Sequence, residues 1–284
     1  MGVLSSIITG LLTALIGYIV GRAWQRFIDQ RPYRHARIFW GPLLGGEVQI
    51  IVSRFWSDSF IEPTGIVGGG DALALREISS YFAKVGLKQA KVVYVDEASV
   101  DRTKNLVLLG GVDTNEITKD ALGLIRPRVR LVDPGPGIPM EIHDLAPDAG
   151  PHQDKSSRGR VKMRRHIANK SDLDYGLIIG TRNPFNSARF LIIFAGAYGY
   201  GTWGGVNLAL QDSFIDQFNQ LRLSSIETRS RSPRGLSLRY LNHARAFFGA
   251  AGPQDWPQFE CIFRVKIFDK RPHAPEVIVL RHLL

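Results

Sequence analysis

Cysteine is almost missing from this chain. A single thiol, Cys261, stands among 284 residues, which excludes an internal disulfide framework and fits a reducing compartment. It also leaves too few thiolates for a cysteine-based zinc site. The histidines give no metal-ligand spacing either. His143 and His152 fall in a proline-rich stretch, and His35, His166, His243, His273 and His282 are scattered. No metal is expected. The chain has no G-x-S-x-G elbow and no H-E-x-x-H pair, and it lacks the lysine-serine end of a P-loop. ATP hydrolysis through a P-loop is therefore disfavoured. Acidic residues are in deficit, 26 against 36 basic ones, for a net charge of +10. That balance points to an anionic partner: phospholipid headgroups, a nucleotide or nucleic acid. Repeats and low-complexity tails are absent. With 44% hydrophobic and 22% charged residues, the chain is an ordinary globular protein with ample material for a core.

Charge is also absent from Val3 to Val20, VLSSIITGLLTALIGYIV. At about 1.5 Å per residue that run just crosses a hydrocarbon core of roughly 30 Å. A cleaved signal peptide would want a basic region before it, where only the α-amino group stands, and a small-x-small site after it, for which Gly21-Arg22-Ala23-Trp24 is a poor match. The expectation is a retained transmembrane helix over 1–21. A basic juxtamembrane segment follows at 22–37, where Arg22, Arg26, Arg31, Arg34 and Arg37 face only Asp29. By the positive-inside rule this places the N-terminus outside and the C-terminal domain in the cytoplasm. The lipid bilayer is then a partner, with Trp24 and Phe27 at headgroup depth. Met1-Gly2 with Ser6 fits a myristoylation pattern, which the apolar run makes redundant. Gly17 and Gly21 lie four apart at the cytoplasmic end, where two spans could approach, so homo-oligomerisation through them is a hypothesis.

Residues 38–284 read as one cytoplasmic α/β domain. After a segment from Ile38 to Gly46, short apolar runs at Val48–Ser53, Lys91–Val95, Asn105–Leu109 and Phe190–Ala195 read as buried strands. Val129–Val132 adds another short one, and Tyr175–Gly180 is a strand that Arg160–Ile167 pairs with through a turn at Asn169–Asp172. Helices follow glycine clusters. One opens at Asp71 as N-cap and closes at Gly86, with Ile78, Phe82 and Val85 on one face. Another opens on a capping box of Asp113 and Glu116. A third carries Val206, Leu210, Phe214 and Phe218 at a spacing of four. Alternating strands and helices argue for a Rossmann-like fold, a mainly parallel sheet with helices on both faces. Phe259–Phe268 and Val277–Leu280 would close it as an antiparallel C-terminal edge. The proline- and glycine-rich stretch 133–159 reads as a lid or linker.

The stretch Arg189–Leu221, RFLIIFAGAYGYGTWGGVNLALQDSFIDQFNQL, organises the rest. An apolar strand, a glycine-rich turn and a helix start form an anion site in many α/β proteins, because the glycines let backbone N–H groups approach. Gly199-Tyr-Gly201-Thr-Trp-Gly204 has the G-x-G-x-x-G spacing, but no apolar strand ending in an acid follows, so NAD redox chemistry is disfavoured. Three such turns could converge at one sheet edge. The candidate ligand-binding residues are Gly69, Gly70 and Asp71, then Gly110, Gly111 and Asn115, then Gly196, Gly199, Gly201 and Thr202. The bland alternative is that these glycines only permit tight turns and close helix packing. Tyr198, Tyr200 and Trp203 could stack on a base or pack against the sheet.

The acids near these turns are Asp71, Asp96, Glu97, Asp113 and Glu116. The basic clusters Lys155–Arg165 and Arg229–Arg245 lack any nucleic-acid motif, so solvated faces or lipid contacts are preferred and nucleic acid is disfavoured. The pattern of strands and glycine turns is similar to Rossmann-like nucleotide-sensing domains of bacterial membrane-tethered signalling and defence proteins. That resemblance implies a membrane-anchored cytoplasmic domain sensing an anionic, nucleotide-like small molecule. A nucleotide-processing hydrolase or transferase is one alternative, and a membrane-tethered interaction module without ligand is another. No cofactor is named by the sequence.

Overall fold

In the computed structural model the described residues are 38–54, 65–85, 87, 90–132, 135, 141–145, 164–168, 172–230 and 256–283, with a few helical positions between 14 and 22. Among the described residues no helix is long and apolar enough to cross a membrane. Of the expected span only Ala14, Leu15, Gly17, Tyr18, Val20 and Gly21 are described, and they are helical. The rest of the span, the arginines from Arg26 to Arg37, the expected helix stop Gly86 and most of both basic clusters lie outside the described residues.

The sheet is mixed rather than mainly parallel. Four strands, β1 (Val48–Val52), β2 (Ala90–Tyr94), β3 (Asn105–Leu109) and β8 (Asn186–Gly196), run parallel in the order β2-β1-β3-β8. From β8 onward every pairing is antiparallel: β7 (Leu173–Asn183) with β8, β9 (Phe259–Phe268) with β7, and β11 (Glu276–His282) with β9. The two-residue β10 (Arg271–Pro272) continues the β9 hairpin. The expected C-terminal antiparallel edge is present, but it extends inward through β7. β7 and β8 join by a tight hairpin at 184–185, which forces the antiparallel pairing.

The central strands β1 and β3 are buried along their whole length, as strands covered on both faces must be. Two core clusters share the alternating positions. Ile50, Val107, Ile192 and Phe194 belong to one, and Ile51, Leu108, Leu191 and Ile193 to the other. The first is covered by α1 (Gly69–Lys84), α3 (Gly199–Ala209) and α4 (Asp212–Ser230), through Ile78, Phe82, Val206, Phe214 and Phe218. The second is covered by α2 (Glu116–Ile125), through Ile117 and Ala121. The segment before β1 is part of the core, because Phe39 and Trp40 are fully buried. Phe39 meets Phe218 edge-on at 5.0 Å between centroids, and its carbonyl accepts the Trp256 indole N–H at 3.0 Å.

One further expectation is corrected. Within 133–159, Glu141–Asp144 is β5, the middle strand of a second sheet between β4 (Val129–Val132) and β6 (Arg164–Ile167). β6 therefore pairs with β5 and not with Tyr175–Gly180, whose two edges are already taken by β8 and β9. The small sheet is fastened to the large one by Arg281 on β11, which forms ion pairs with Asp144 at 2.7 Å and Glu260 at 2.5 Å. Both carboxylates are buried, so removing either partner would leave a charge uncompensated.

The helix of Arg189–Leu221 is also two helices. α3 ends where the Leu210 and Gln211 N–H groups turn back to the Asn207 and Leu208 carbonyls, and α4 begins with Phe214 N–H on the Gln211 carbonyl. The apolar spacing of four runs through the break because both helices face the same core cluster.

Candidate ligand-binding site

The three glycine turns meet around one cavity of about 550 Å³, within the usual size range of small-molecule sites. It lies past the C-terminal ends of β3 and β8, where ligands bind in open α/β sheets. The first turn contributes Gly69, Gly70 and Asp71, the second Gly111, Asp113 and Thr114, and the third Gly196, Gly199 and Thr202. Leu73 of α1 and Ile267 of β9 add apolar wall, and Tyr198 and Tyr200 add aromatic wall. Of the expected residues, Gly110, Asn115 and Gly201 lie outside this lining.

Each of those three has a structural task. Gly110 has φ of +112° and packs against Ser53, whose hydroxyl bonds the Leu109 carbonyl at 3.1 Å. A side chain would be strained there and would also overlap Ser53. Asn115 is the true N-cap of α2 and is fully buried. Its Oδ1 accepts the N–H groups of Ile117 and Thr118, both at 3.1 Å. The expected capping box on Asp113 is thus replaced by the residue immediately before the helix. Asp113 instead lines the cavity. The Gly201 N–H is taken by Asp174 Oδ2 at 2.6 Å.

α1 and α3 begin differently from α2. Asp71 is not the N-cap of α1: that position is Gly68, which has no side chain to cap with, and Asp71 sits in the first turn. The N–H groups of Gly69, Gly70 and Asp71 are those a helix leaves without an intrahelical partner. α3 starts after Tyr198, again with no cap from its own side chain. The two helix starts abut, since a Cβ at Gly70 would overlap the carbonyl of Gly199. The glycines at Gly70 and Gly199 therefore serve main-chain contact between helices. Gly69, in contrast, has open space where a side chain would stand. The fingerprint spacing of Gly199, Gly201 and Gly204 lies inside α3 and not in the turn before it. Gly204 lets the helix lie against Val265 and Phe263 of β9.

Charge is the main departure from expectation. Although the chain is basic, the lining carries Asp71, Asp113 and Asp174 and no Lys, Arg or His among the described residues. Asp174 is fully buried and was not anticipated from the sequence. Its Oδ1 accepts the N–H groups of Tyr175 at 2.7 Å and Tyr198 at 3.1 Å, so with Gly201 it closes the start of α3 from a neighbouring strand. Burial pushes its carboxyl up to about 6, against the pull of those three N–H bonds. Burial likewise raises Asp71 to about 6; a hydrogen bond from Thr202 pulls it back and the Asp113 charge adds to the rise. Thr202 belongs to α3 and Asp71 to α1, so this bond ties the two helix starts together. Trp203, weighed as a stacking residue, instead donates its indole N–H to Glu77 of α1 at 2.8 Å.

Among the described residues no group of three or more His, Cys, Asp or Glu side chains is arranged to hold a metal ion. No family model matches the sequence, and no curated protein matches it. What fold and site define together is a mixed α/β protein with a ligand-sized acidic cavity at its strand ends.

Proposed function

We propose that the chain is a membrane-anchored ligand-binding protein whose cytoplasmic domain senses a nucleotide-type small molecule. One observation carries this reading: three separate glycine turns and two helix starts whose own N-cap residues supply no side-chain cap border a single cavity. On this reading the fold is a Rossmann-like variant in which β7, β9 and β11 replace further parallel units. The charge-free run Val3–Val20 anchors the chain, the arginines after it hold the domain on the cytoplasmic side, and close approach of spans at Gly17 and Gly21 transmits occupancy.

The test is thermal unfolding of the full chain in mild detergent against a panel of nucleotides and nucleosides. A binder stabilises by RT ln(1 + [L]/Kd), about 2.7 kcal/mol at a hundredfold excess over Kd. No shift with any of them overturns the reading. Labelling of the two termini in intact cells checks the orientation, and an external C-terminus would overturn the cytoplasmic placement.

Asp71 favours a second reading. A carboxyl held near 6 in a cavity can give and take a proton close to neutrality, which suits a nucleotide-processing hydrolase or transferase. Turnover of a bound nucleotide that Asp71→Asn abolishes while binding persists would establish that reading over sensing alone.

A further inference from the structure

We propose that the cavity seats the hydroxyl-bearing sugar and the base of a nucleoside, held by Asp71 and Asp113, and that a phosphate group is not what it recognises. The inference rests on the ligand-binding reading above and names the part of the ligand that enters.

The lining sets the chemistry. Three carboxylates and no cationic side chain among its described residues make a poor seat for a desolvated phosphate, because like charges repel most strongly away from water. The three carboxylates are not equivalent. Asp174 has both oxygens engaged by main-chain N–H groups, so its task is to hold α3. Asp71 and Asp113 come from two different turns and border the same space. They are near enough that the charge of one disfavours ionisation of the other. A pair of adjacent hydroxyls donates to both carboxylates and relieves that repulsion, which a phosphate would aggravate.

The other walls suit a base. Leu73 and Ile267 are apolar, and the ring of Tyr200 is fixed because its hydroxyl donates to the Lys270 carbonyl at 2.7 Å. Tyr198 packs with Ala197 and Ala168. Apolar and aromatic walls with a few placed polar groups are the usual make-up of a site for a flat, mostly uncharged ligand. A bare divalent ion fits less well, since no three acidic or imidazole groups among the described residues converge and the apolar walls offer it nothing.

The experiment is isothermal titration of the full chain in mild detergent with adenosine, guanosine, cytidine and uridine. Each is paired with its 2′,3′-dideoxy counterpart, and nucleotides and inorganic phosphate are run beside them. At least one ribonucleoside is expected to bind, its dideoxy form about tenfold or more weaker, because a site built for hydroxyl donors rejects the analogue that lacks them. Inorganic phosphate is expected not to displace it. Asp113→Asn, at an exposed position, is expected to lose about tenfold in ribonucleoside affinity while the unfolding temperature stays near that of the wild type. A dideoxynucleoside binding as tightly as its parent, competition by phosphate, stabilisation by magnesium or calcium alone, or binding of nucleotides without nucleosides would each overturn the inference. The last of these leaves the ligand-binding reading standing. Silence of every probe overturns both.

Discussion

The start of α2 and the paired starts of α1 and α3 look alike in sequence and end up as opposites. Each follows a glycine turn after a strand. α2 is sealed by its own Asn115, whose side chain satisfies two N–H groups within the helix. α1 and α3 have no such cap; they abut at Gly70 and Gly199, and α3 takes its anion from Asp174 on another strand. The difference separates a glycine turn that only connects from two that border a cavity. A helix end closed by its own cap has little left to offer a ligand, whereas the starts of α1 and α3, closed partly or not at all by side chains of their own, border the cavity.

The largest effect should come from Gly70→Ala. The new Cβ would overlap main-chain atoms of Gly199, which cannot yield as a flexible side chain could. A loss of about 3 kcal/mol or more in chemical denaturation is expected. An unchanged midpoint would mean that α1 and α3 are not in contact.

Next comes pH. Asp71 and Asp174 have folded values of about 6 against an ordinary 3.8. Each therefore holds its proton more tightly folded than unfolded. Their contribution to stability is greatest below about pH 4 and is lost as pH rises through about 4 to 6, by an amount on the order of 3 kcal/mol per group. Asp71→Asn should remove its share of that slope, so wild type and variant diverge between pH 4 and 6 and run parallel above 7. Parallel curves throughout would contradict the burial of this carboxylate. The amide at the α2 start contributes no such slope.

Asn115→Ala should cost about 1–2 kcal/mol through loss of the cap, with nucleoside affinity unaltered. A drop in affinity would place α2 at the cavity after all. The smallest effect belongs to Gly69→Ala, whose side chain meets open space. Its stability should stay within about 0.5 kcal/mol of wild type, and a loss comparable to that of Gly70→Ala would erase the contrast between these neighbours.

Much of the parallel half was legible because it is local. The runs at β1, β3 and β8 are largely apolar, and the glycine clusters mark the turns that follow. The meeting of those turns followed from topology alone. Which glycines touch the cavity did not, since Gly110 and Gly201 look like their neighbours Gly111 and Gly199 until Ser53 and Asp174 are placed against them. Asp174 was missed because it caps a helix 27 residues further on, and nothing around it in sequence announces a tertiary cap. Phe39 and Trp40 stand in the short segment before β1, where nothing nearby marks them as core, yet they are buried by Phe218, Phe82 and Trp256, which come from distant parts of the chain. The break between α3 and α4 was masked by apolar periodicity that a shared core imposes on both.

The account is tested most directly by amide hydrogen exchange on the full chain, with and without a bound ribonucleoside. Exchange should slow at Gly69–Asp71 and at Gly199 and stay unchanged at Glu116–Thr118, the sealed start of α2. Slowing at α2 equal to that at α1 and α3, or no slowing at any of the three under saturating ligand, would contradict it.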